Sequence, residues 1–531
     1  MDLQKKIIIK IIGSMLVIGF LGAQPNSDLD QIILNHMNSG YIPGLSAGIV
    51  VNNNVIWSDS YGTANITLNT PVTEDTNFLV ASISKLVTTT AIMQLYEEGR
   101  IGLHDSINQY LPFIVINPFQ PNTEITLYML LTHTSSIYED LTYSEEYSIF
   151  GNNPELELEY FLSNYLMMGG EFYSSNNYYN YGPGDQWNYS NIGFALIALI
   201  VESISQQSFE DYCEMNIFGP LGMEETSWHF EDMDESTVAM PYEWMPGWEE
   251  MGHYFIPYYP SAQLRSSVSE LSSFLISYME NLSGLMDDET IELILTEHID
   301  DGWSWMNMSE GWGLGWYHKI LNGRDLWGHN GMMWGVLTEL FFSPEDNIGI
   351  IILTNGGDYY GSWYSDVIAI ENALLDYGYE YLESNQIINI NYGAGWNIIG
   401  LPVEMEYTHY QTLYPHSIEG TLYSFDGNYN SETSLINGEG YWLRFNDECN
   451  TNISGASINE LTINLNVGWN LITGISTLLS ILDIQDPDEI IISDTIYSFN
   501  NGSYIITENL EPGKGYWIKT IGSGSIILSE N

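Results

Sequence analysis

Three aromatic triplets near the C-terminal end occur twice, in the same order. Gly395-Trp396-Asn397 returns as Gly468-Trp469-Asn470, Tyr423-Ser424-Phe425 as Tyr497-Ser498-Phe499, and Gly440-Tyr441-Trp442 as Gly515-Tyr516-Trp517, at separations of 73, 74 and 75 residues. Each copy must therefore be a small supersecondary unit. Asn-Gly and Pro-Gly pairs between short β-rich runs mark the turns. Two small all-β modules are expected, at residues 385–455 and 456–531. Their recurring Trp and Tyr are expected to form cores, because a repeat unit must bury something. Left exposed, the same rings would suit a sugar or another polymer, or contact with other cell-surface components.

Upstream of residue 385 the pattern is mixed helix and strand, and 531 residues suit two or three domains. Met1–Ala23 has the form of a secretory signal peptide: Lys5, Lys6 and Lys10, an apolar run from Ile11 to Leu21, then small Gly22-Ala23. Export to the periplasm, cell surface or medium is expected, with no membrane span after cleavage; a retained N-terminal anchor is the alternative. With 11 Lys+Arg against 69 Asp+Glu and a net charge of −58, the chain should repel nucleic acid and anionic membranes. The acids are spread rather than clustered, as in a solubility adaptation. Cys213 and Cys449 fall in different expected domains, so no disulfide framework is implied. No metal-ligand spacing appears, and neither a metal nor another cofactor is expected.

Two serines compete for attention. Gly44-Leu45-Ser46-Ala47-Gly48 fits the G-x-S-x-G elbow, but that motif needs a strand before it and a helix after it. Here Pro43-Gly44 precedes and a hairpin follows, built from strands Ser46–Val51 and Val55–Ser58, so Ser46 is set aside. Ser82 stands three residues before Lys85, about one helical turn, at the start of a helical run from Leu86 to Glu98 that Gly99 should stop. An amine on the same face would activate a serine hydroxyl.

Downstream, His133 could act as a base but more readily ties down a Ser/Thr-rich turn. Residues 139–188, rich in Tyr, Asn and Gly, suit a lid or substrate wall. Tyr189-Ser190-Asn191 opens directly onto an apolar helix, Ile192–Ser203. Arg265 is expected in a structural ion pair. Gly311-Trp312-Gly313-Leu314-Gly315 has the wrong spacing and setting for a dinucleotide loop. Trp327-Gly328-His329-Asn330-Gly331, strands Val336–Phe342 and Ile348–Thr354, and a helix over Trp363–Tyr377 complete the segment.

The order Ser82-x-x-Lys85, Tyr189-Ser190-Asn191, His329-Asn330-Gly331 resembles that of the penicillin-recognising serine hydrolases, in the class C β-lactamase-related branch of esterases, D-amino-acid peptidases and β-lactamases. Ile42-Pro43-Gly44, Leu130-Leu131-Thr132-His133-Thr134-Ser135, Pro220-Leu221-Gly222-Met223 and Leu264-Arg265-Ser266-Ser267 support the resemblance, which covers about residues 28–380. The C-terminal repeats lie outside it and are loosely similar to β repeats of exported bacterial enzymes.

The resemblance implies an α+β fold: an antiparallel sheet flanked by helices with an adjoining helical subdomain, followed here by the two all-β repeats. It implies a Ser82 nucleophile forming an acyl-enzyme, Lys85 beside it, and Tyr189 as a base whose phenol would need a pKa well below about 10. It further implies an oxyanion hole from the backbone N–H groups of Ser82 and Met332. Asn191 would orient Lys85 and bind a substrate amide, His329 would face substrate, and Gly331 would admit substrate to the strand edge. His329 stands where β-lactamases usually carry a lysine that binds a carboxylate. An imidazole is mostly neutral at neutral pH, so an ester or peptide amide is expected as the small-molecule substrate rather than a carboxylate-bearing β-lactam. The alternatives are a β-lactamase or D-Ala-D-Ala carboxypeptidase, and a catalytically silent surface-binding protein.

Overall fold

The computed structural model describes residues 27–139, 149–150, 157–279, 284–299, 310–405, 408–500 and 502–530. The expected signal segment and parts of the 139–188 segment lie outside these residues. The chain divides into two compact units, Met1–Gly378 and Tyr379–Asn531.

The first unit is built on an eight-stranded antiparallel sheet. In chain order its strands are β1 (Gly44–Val51), β2 (Asn54–Asn65), β3 (Thr70–Pro71), β4 (Gly311–Trp312), β5 (Tyr317–Leu321), β6 (Arg324–Met333), β7 (Val336–Ser343) and β8 (Ile348–Thr354). In space they run β4-β5-β6-β7-β8-β1-β2-β3. N- and C-terminal parts of the segment thus meet at β1 and β8, where Ile49 pairs with Ile350. Every residue of β1, β7 and β8 is buried, as helices covering both faces require.

The alternation of a strand separates the two helical layers. A Cβ on Gly48 would lie 2.7 Å from Val268, the first residue of helix Val268–Met279. Ile49, pointing the other way, lies by Gly378 in helix Trp363–Ser384, which runs past the expected end at Tyr377. His36 from helix Ser27–Ser39 lies 2.7 Å from Asp366 of that closing helix. Lys319 Nζ on β5 reaches Glu371 at 2.7 Å and Glu339 at 3.5 Å, so one of the few cations serves the sheet-helix seam.

The helical subdomain centres on two helices, Ser84–Glu97 and Asn191–Ser205. The second is apolar all round, and Ile192 through Val201 are all buried, as a helix surrounded by neighbours should be. Gly99 follows the first at φ +68°, the left-handed geometry that ends helices. Among the described residues no single helix is long and apolar enough to cross a membrane.

The second unit is all β apart from the end of the closing helix and short turns. Its first half pairs Asn385–Tyr392 with Cys449–Ser457 and forms a four-stranded sheet in the order Gly395–Gly400, Gly440–Phe445, Tyr423–Phe425, Tyr429–Ser431. Its second half pairs Glu460–Leu465 with Gly524–Ser529 and repeats that order with Gly468–Thr473, Gly515–Thr520, Tyr497–Asn500 and Ser503–Ile506. Each half has its own core, around Tyr441 and Tyr516 respectively. Trp442 and Trp517 join a third cluster with Ile398 and Leu471 that bridges the halves. The repeated aromatics do not all become core, however: Trp396 and Trp469 are each 42% exposed at equivalent positions.

Candidate active site

Ser82 sits in a single 3-10 turn, Ala81–Ile83, that leads into helix Ser84–Glu97. Ala81 holds φ +49°, a left-handed conformation that costs an alanine about 1 kcal/mol or more. The surroundings enforce it. Val80 N–H donates to the Leu264 carbonyl, Leu264 N–H donates to Ser84 Oγ at 3.1 Å, and Thr338 Oγ1 donates to the Val80 carbonyl at 2.9 Å. Phe78 and Leu79 pair with Ser266 and Arg265, so the Leu264–Ser267 phrase forms part of the clamp on the serine turn. The ion pair expected of Arg265 is not found among the described residues. The buried guanidinium donates to the carbonyls of Gln263 and Tyr254 and lies over the Phe230 ring.

Gly331 completes the clamp. A Cβ there would lie 2.3 Å from both the Val80 carbonyl and Thr338 Oγ1, and 3.0 Å from the Ala81 methyl. The bare glycine therefore lets β6 close against the serine turn; the space its side chain would need is filled by protein rather than left for substrate. Beyond it, β5 covers β6 only from Arg324 to Gly328. Among the described residues no strand pairs with that outer edge from His329 to Met333, which leaves the stretch carrying Met332 free to meet a ligand.

Tyr189 and Asn191 flank a cap. Ser190 Oγ accepts from Gly193 N–H at 3.1 Å and starts helix Asn191–Ser205. His133 fixes the approach: its Nδ1 accepts from Ser190 N–H at 3.1 Å, its carbonyl accepts from Asn188 N–H, and its ring lies 4.4 Å from that of Tyr189. With Nδ1 filled as an acceptor and its pKa held well below the usual histidine value by burial and by Lys85, His133 positions the tyrosine rather than serving as a base.

These elements bring three side chains to one point. Lys85 Nζ lies 3.0 Å from Ser82 Oγ, and the Tyr189 hydroxyl donates to the same oxygen at 2.9 Å. Lys85 Nζ also donates to the Ser261 carbonyl at 2.7 Å and sits 4.7 Å from the Tyr189 ring centroid. Burial holds the Lys85 pKa well below that of a free lysine, only partly opposed by Glu139. Burial also raises the Tyr189 pKa, with Glu139 adding to it and the Ser82 hydrogen bond opposing. This corrects the expectation of an ionised tyrosine: a buried amine that sheds its charge offers the phenol no cation to ionise against.

His329 is wholly buried, with ring contacts to Tyr189, Trp312 and Tyr317, and its Nδ1–H donates to the Asn330 carbonyl. Burial, reinforced by Lys85, lowers its pKa to about 3, so it is uncharged at neutral pH. Trp312, from the glycine-rich stretch set aside as a dinucleotide loop, packs between His133 and His329.

Two participants were not foreseen. One is the Ser261 carbonyl, a backbone group without side-chain identity. The other is Glu139, whose Oε2 accepts from Asn191 Nδ2 at 2.7 Å. Asn191 thus engages Glu139, whereas the hydrogen bonds of Lys85 go to Ser82 and Ser261. Ser46, by contrast, lies in mid-strand with Oγ 2.5 Å from Ser60 Oγ. Among the described residues no cluster of metal-ligating side chains is present.

A serine held in a strained turn at the head of a buried helix, between a helical layer and an open strand edge, defines a serine hydrolase fold of the β-lactamase type. Residues 29–374 match the Beta-lactamase family model, and the chain belongs to that family. It is similar to Protein flp of Staphylococcus aureus, 26% identical over 337 residues that cover 62% of this chain and 63% of that protein. The chain therefore spans somewhat less than two thirds of that relative's length. Its fold is shared with the octameric penicillin-binding protein homologue from Pyrococcus abyssi, at 22% identity and TM-score 0.52, over 93% of this chain and 100% of that one. It is also shared with the D-amino acid amidase from Ochrobactrum anthropi SV3, at 18% identity and TM-score 0.54, over 66% and 99% of the two chains.

Proposed function

We propose that the protein is an exported serine hydrolase that cleaves an ester or peptide amide through an acyl-enzyme on Ser82. The observation that carries this proposal is the convergence of Lys85 Nζ and the Tyr189 hydroxyl on Ser82 Oγ. Tyr189 donates into one lone pair of Oγ, so the serine's own hydrogen is free to point at the lysine amine. With its pKa depressed by burial, that amine is available uncharged as the general base.

Lys85 takes the Ser82 proton as Oγ attacks the carbonyl carbon. The backbone N–H groups of Ser82 and Met332 receive the oxyanion. Tyr189, kept protonated by burial, gives its proton to the departing oxygen or nitrogen, and the protonated Lys85 beside its ring returns a proton to the phenolate. A water then attacks the acyl carbon as its proton passes to the base, and the intermediate collapses to the acid as Lys85 hands that proton to Ser82 Oγ, restoring the hydroxyl and the neutral amine. With His329 uncharged, the site offers no fixed cation for a substrate carboxylate at that position, so carboxylate-bearing β-lactams are poor substrates. Export rests on the N-terminal sequence.

One substrate panel tests the proposal: short-chain p-nitrophenyl esters, D- and L-amino-acid anilides, and a chromogenic cephalosporin, each run beside Ser82→Ala. Turnover of an ester or anilide that vanishes in Ser82→Ala is the expected result. Wild-type inactivity throughout, or equal turnover by the variant, overturns the proposal in favour of a silent binding protein. Efficient cephalosporin hydrolysis overturns its substrate preference.

A further inference from the structure

The second unit takes no part in the hydrolytic steps, yet several of its largest rings stay out of its cores. Its two halves meet about a pseudo-two-fold axis. Gly400 N–H donates to the Gly513 carbonyl and Thr473 N–H donates to the Gly438 carbonyl, and these are equivalent positions of the repeat exchanged between halves. Such reciprocal contacts are the mark of a two-fold interface. The rings obey the same rule: Phe425 meets Trp517 edge-on at 4.8 Å between centroids, and Phe499 meets Trp442 edge-on at 4.7 Å.

Two clefts result. One, of about 530 Å³, is lined by Trp396, Tyr423, Tyr429, Trp442, Phe499 and Tyr504. The other, of about 390 Å³, is lined by Trp469, Tyr497, Tyr504, Trp517, Phe425 and Tyr429, the repeat counterpart of every residue in the first. Both volumes suit a small-ligand site. Tyr429 and Tyr504 line both clefts, so the two adjoin. Trp396, Trp469, Tyr429 and Tyr504 are exposed, and a contiguous exposed aromatic patch marks an interaction site. Opposite each exposed indole, on the paired strand, stands a cation: Arg444 across from Trp396 and Lys519 across from Trp469. Directly opposed residues share a face of the sheet, so N–H donors border both clefts. Lys519 Nζ lies 5.4 Å from the Trp469 ring centroid.

Charge and symmetry select the ligand. Residues 379–531 contain three basic residues, Arg444, Lys514 and Lys519, against 19 Asp and Glu, so an anionic polymer is repelled. The pseudo-two-fold axis reverses direction from one cleft to the other, so the feature they recognise must read alike both ways. The C–H face of a pyranose ring meets that condition. A peptide backbone, with its directed row of N–H and C=O groups, does not. We propose that the paired aromatic clefts of the second unit bind a neutral β-linked polysaccharide, with a sugar face stacked on each exposed indole and Arg444 and Lys519 donating to its hydroxyl oxygens. Two sites engaging one polymer bind it with avidity. The hydrolase unit is thereby held at a polysaccharide-bearing surface, and the binding is independent of the chemistry at Ser82.

The test is depletion of the intact protein from solution by suspended cellulose and chitin, beside alginate and a polyproline resin, with tryptophan fluorescence titrated by soluble cello- and chito-oligosaccharides. Retention on cellulose or chitin in dilute and in concentrated salt alike, with a fluorescence change on titration, is the expected result, because stacking on a neutral sugar is not screened. Trp396→Ala and Trp469→Ala should each weaken binding by about tenfold or more, the scale of one buried aromatic side chain, and the double variant should stay in solution. Trp396→Phe, which keeps a ring, should fall between wild type and Trp396→Ala. Neither indole belongs to a core cluster, so thermal melts of these variants should match wild type. Ser82→Ala should bind as wild type does, which separates this site from the acyl-enzyme. No retention on either polysaccharide and no response to the oligosaccharides overturns the proposal, as does retention that survives in the double variant. Capture by polyproline alone overturns it in favour of a peptide ligand, and self-association abolished in the double variant without polysaccharide binding overturns it in favour of a second copy of the chain.

Discussion

Ser46 and Ser82 lie 36 residues apart in patterns that both invite a nucleophile, and the backbone treats them in opposite ways. Ser46 belongs to a fully buried central strand, its φ and ψ set by two neighbouring strands and its hydroxyl tied to Ser60. Ser82 is in a one-turn helix after a residue at positive φ, outside the sheet, with an amine and a phenol directed at its oxygen. The glycine at 48 that makes Ser46 resemble an elbow is there because Val268 packs against it. Small flanking residues thus do not make a nucleophile. A backbone that leaves the sheet, and partners that take a proton, do.

The largest effect that sharpens this contrast is expected at Lys85. Lys85→Met should lower kcat/KM for esters and anilides by about 10³-fold or more, since residues of a catalytic unit fail together. The wild-type profile should show the sign of the shift: activity is present above the depressed Lys85 pKa and lost as the pH falls through it and the amine charges. A steady-state pH series checks both.

Tyr189→Phe should cost about 10²- to 10³-fold, the range of a general acid. Anilides should suffer more than p-nitrophenyl esters, because nitrophenolate leaves without a proton. Equal losses on the two substrates would remove Tyr189 from leaving-group protonation.

A third effect concerns stability. His329 has its pKa lowered to about 3 against about 6.5 when unfolded, so the unfolded chain binds more protons between those values. Its contribution is fully present above pH ~6.5 and is lost on acidification, by about 3 kcal/mol at pH ~4. Denaturant unfolding of wild type and His329→Gln from neutral to acid pH should show a shallower decline in the variant. The smallest effect is expected at Ser46. Ser46→Ala should lower stability by about 1 kcal/mol through one lost hydrogen bond and leave turnover unchanged, checked by thermal melts and the ester assay.

The contrast also marks how far the amino-acid order alone reaches. Residue spacing was enough to place Ser82 and Lys85 one turn apart, and Tyr189-Ser190-Asn191 at a helix start, although the capping role of Ser190 emerged only from the structure. Short, mostly apolar runs were enough for β1, β7 and β8, whose residues are buried throughout. Glu139 was not legible, because one glutamate among 69 acids carries no signal until Asn191 is found bonded to it. The Ser261 carbonyl had no letter to read. Gly331 was assigned to substrate access, whereas Val80 and Thr338 fill that space, a long-range packing fact. The ionisation of Tyr189 was inverted for a similar reason: a cation nearby in sequence logic loses its charge once burial is known. In the second unit the duplication was visible as spacing, but not which rings face inward. Trp442 and Trp396 lie on paired strands of one sheet and differ in exposure because the former packs against Leu471 of the other half.

The central claim, that Ser82 is the residue acylated, is most directly tested by treating the intact protein with a fluorophosphonate probe and locating the adduct by peptide mass spectrometry. A single adduct on the peptide containing Ser82, absent in Ser82→Ala and retained in Ser46→Ala, is the predicted result. An adduct on Ser46, or none on the folded wild-type protein, would contradict it.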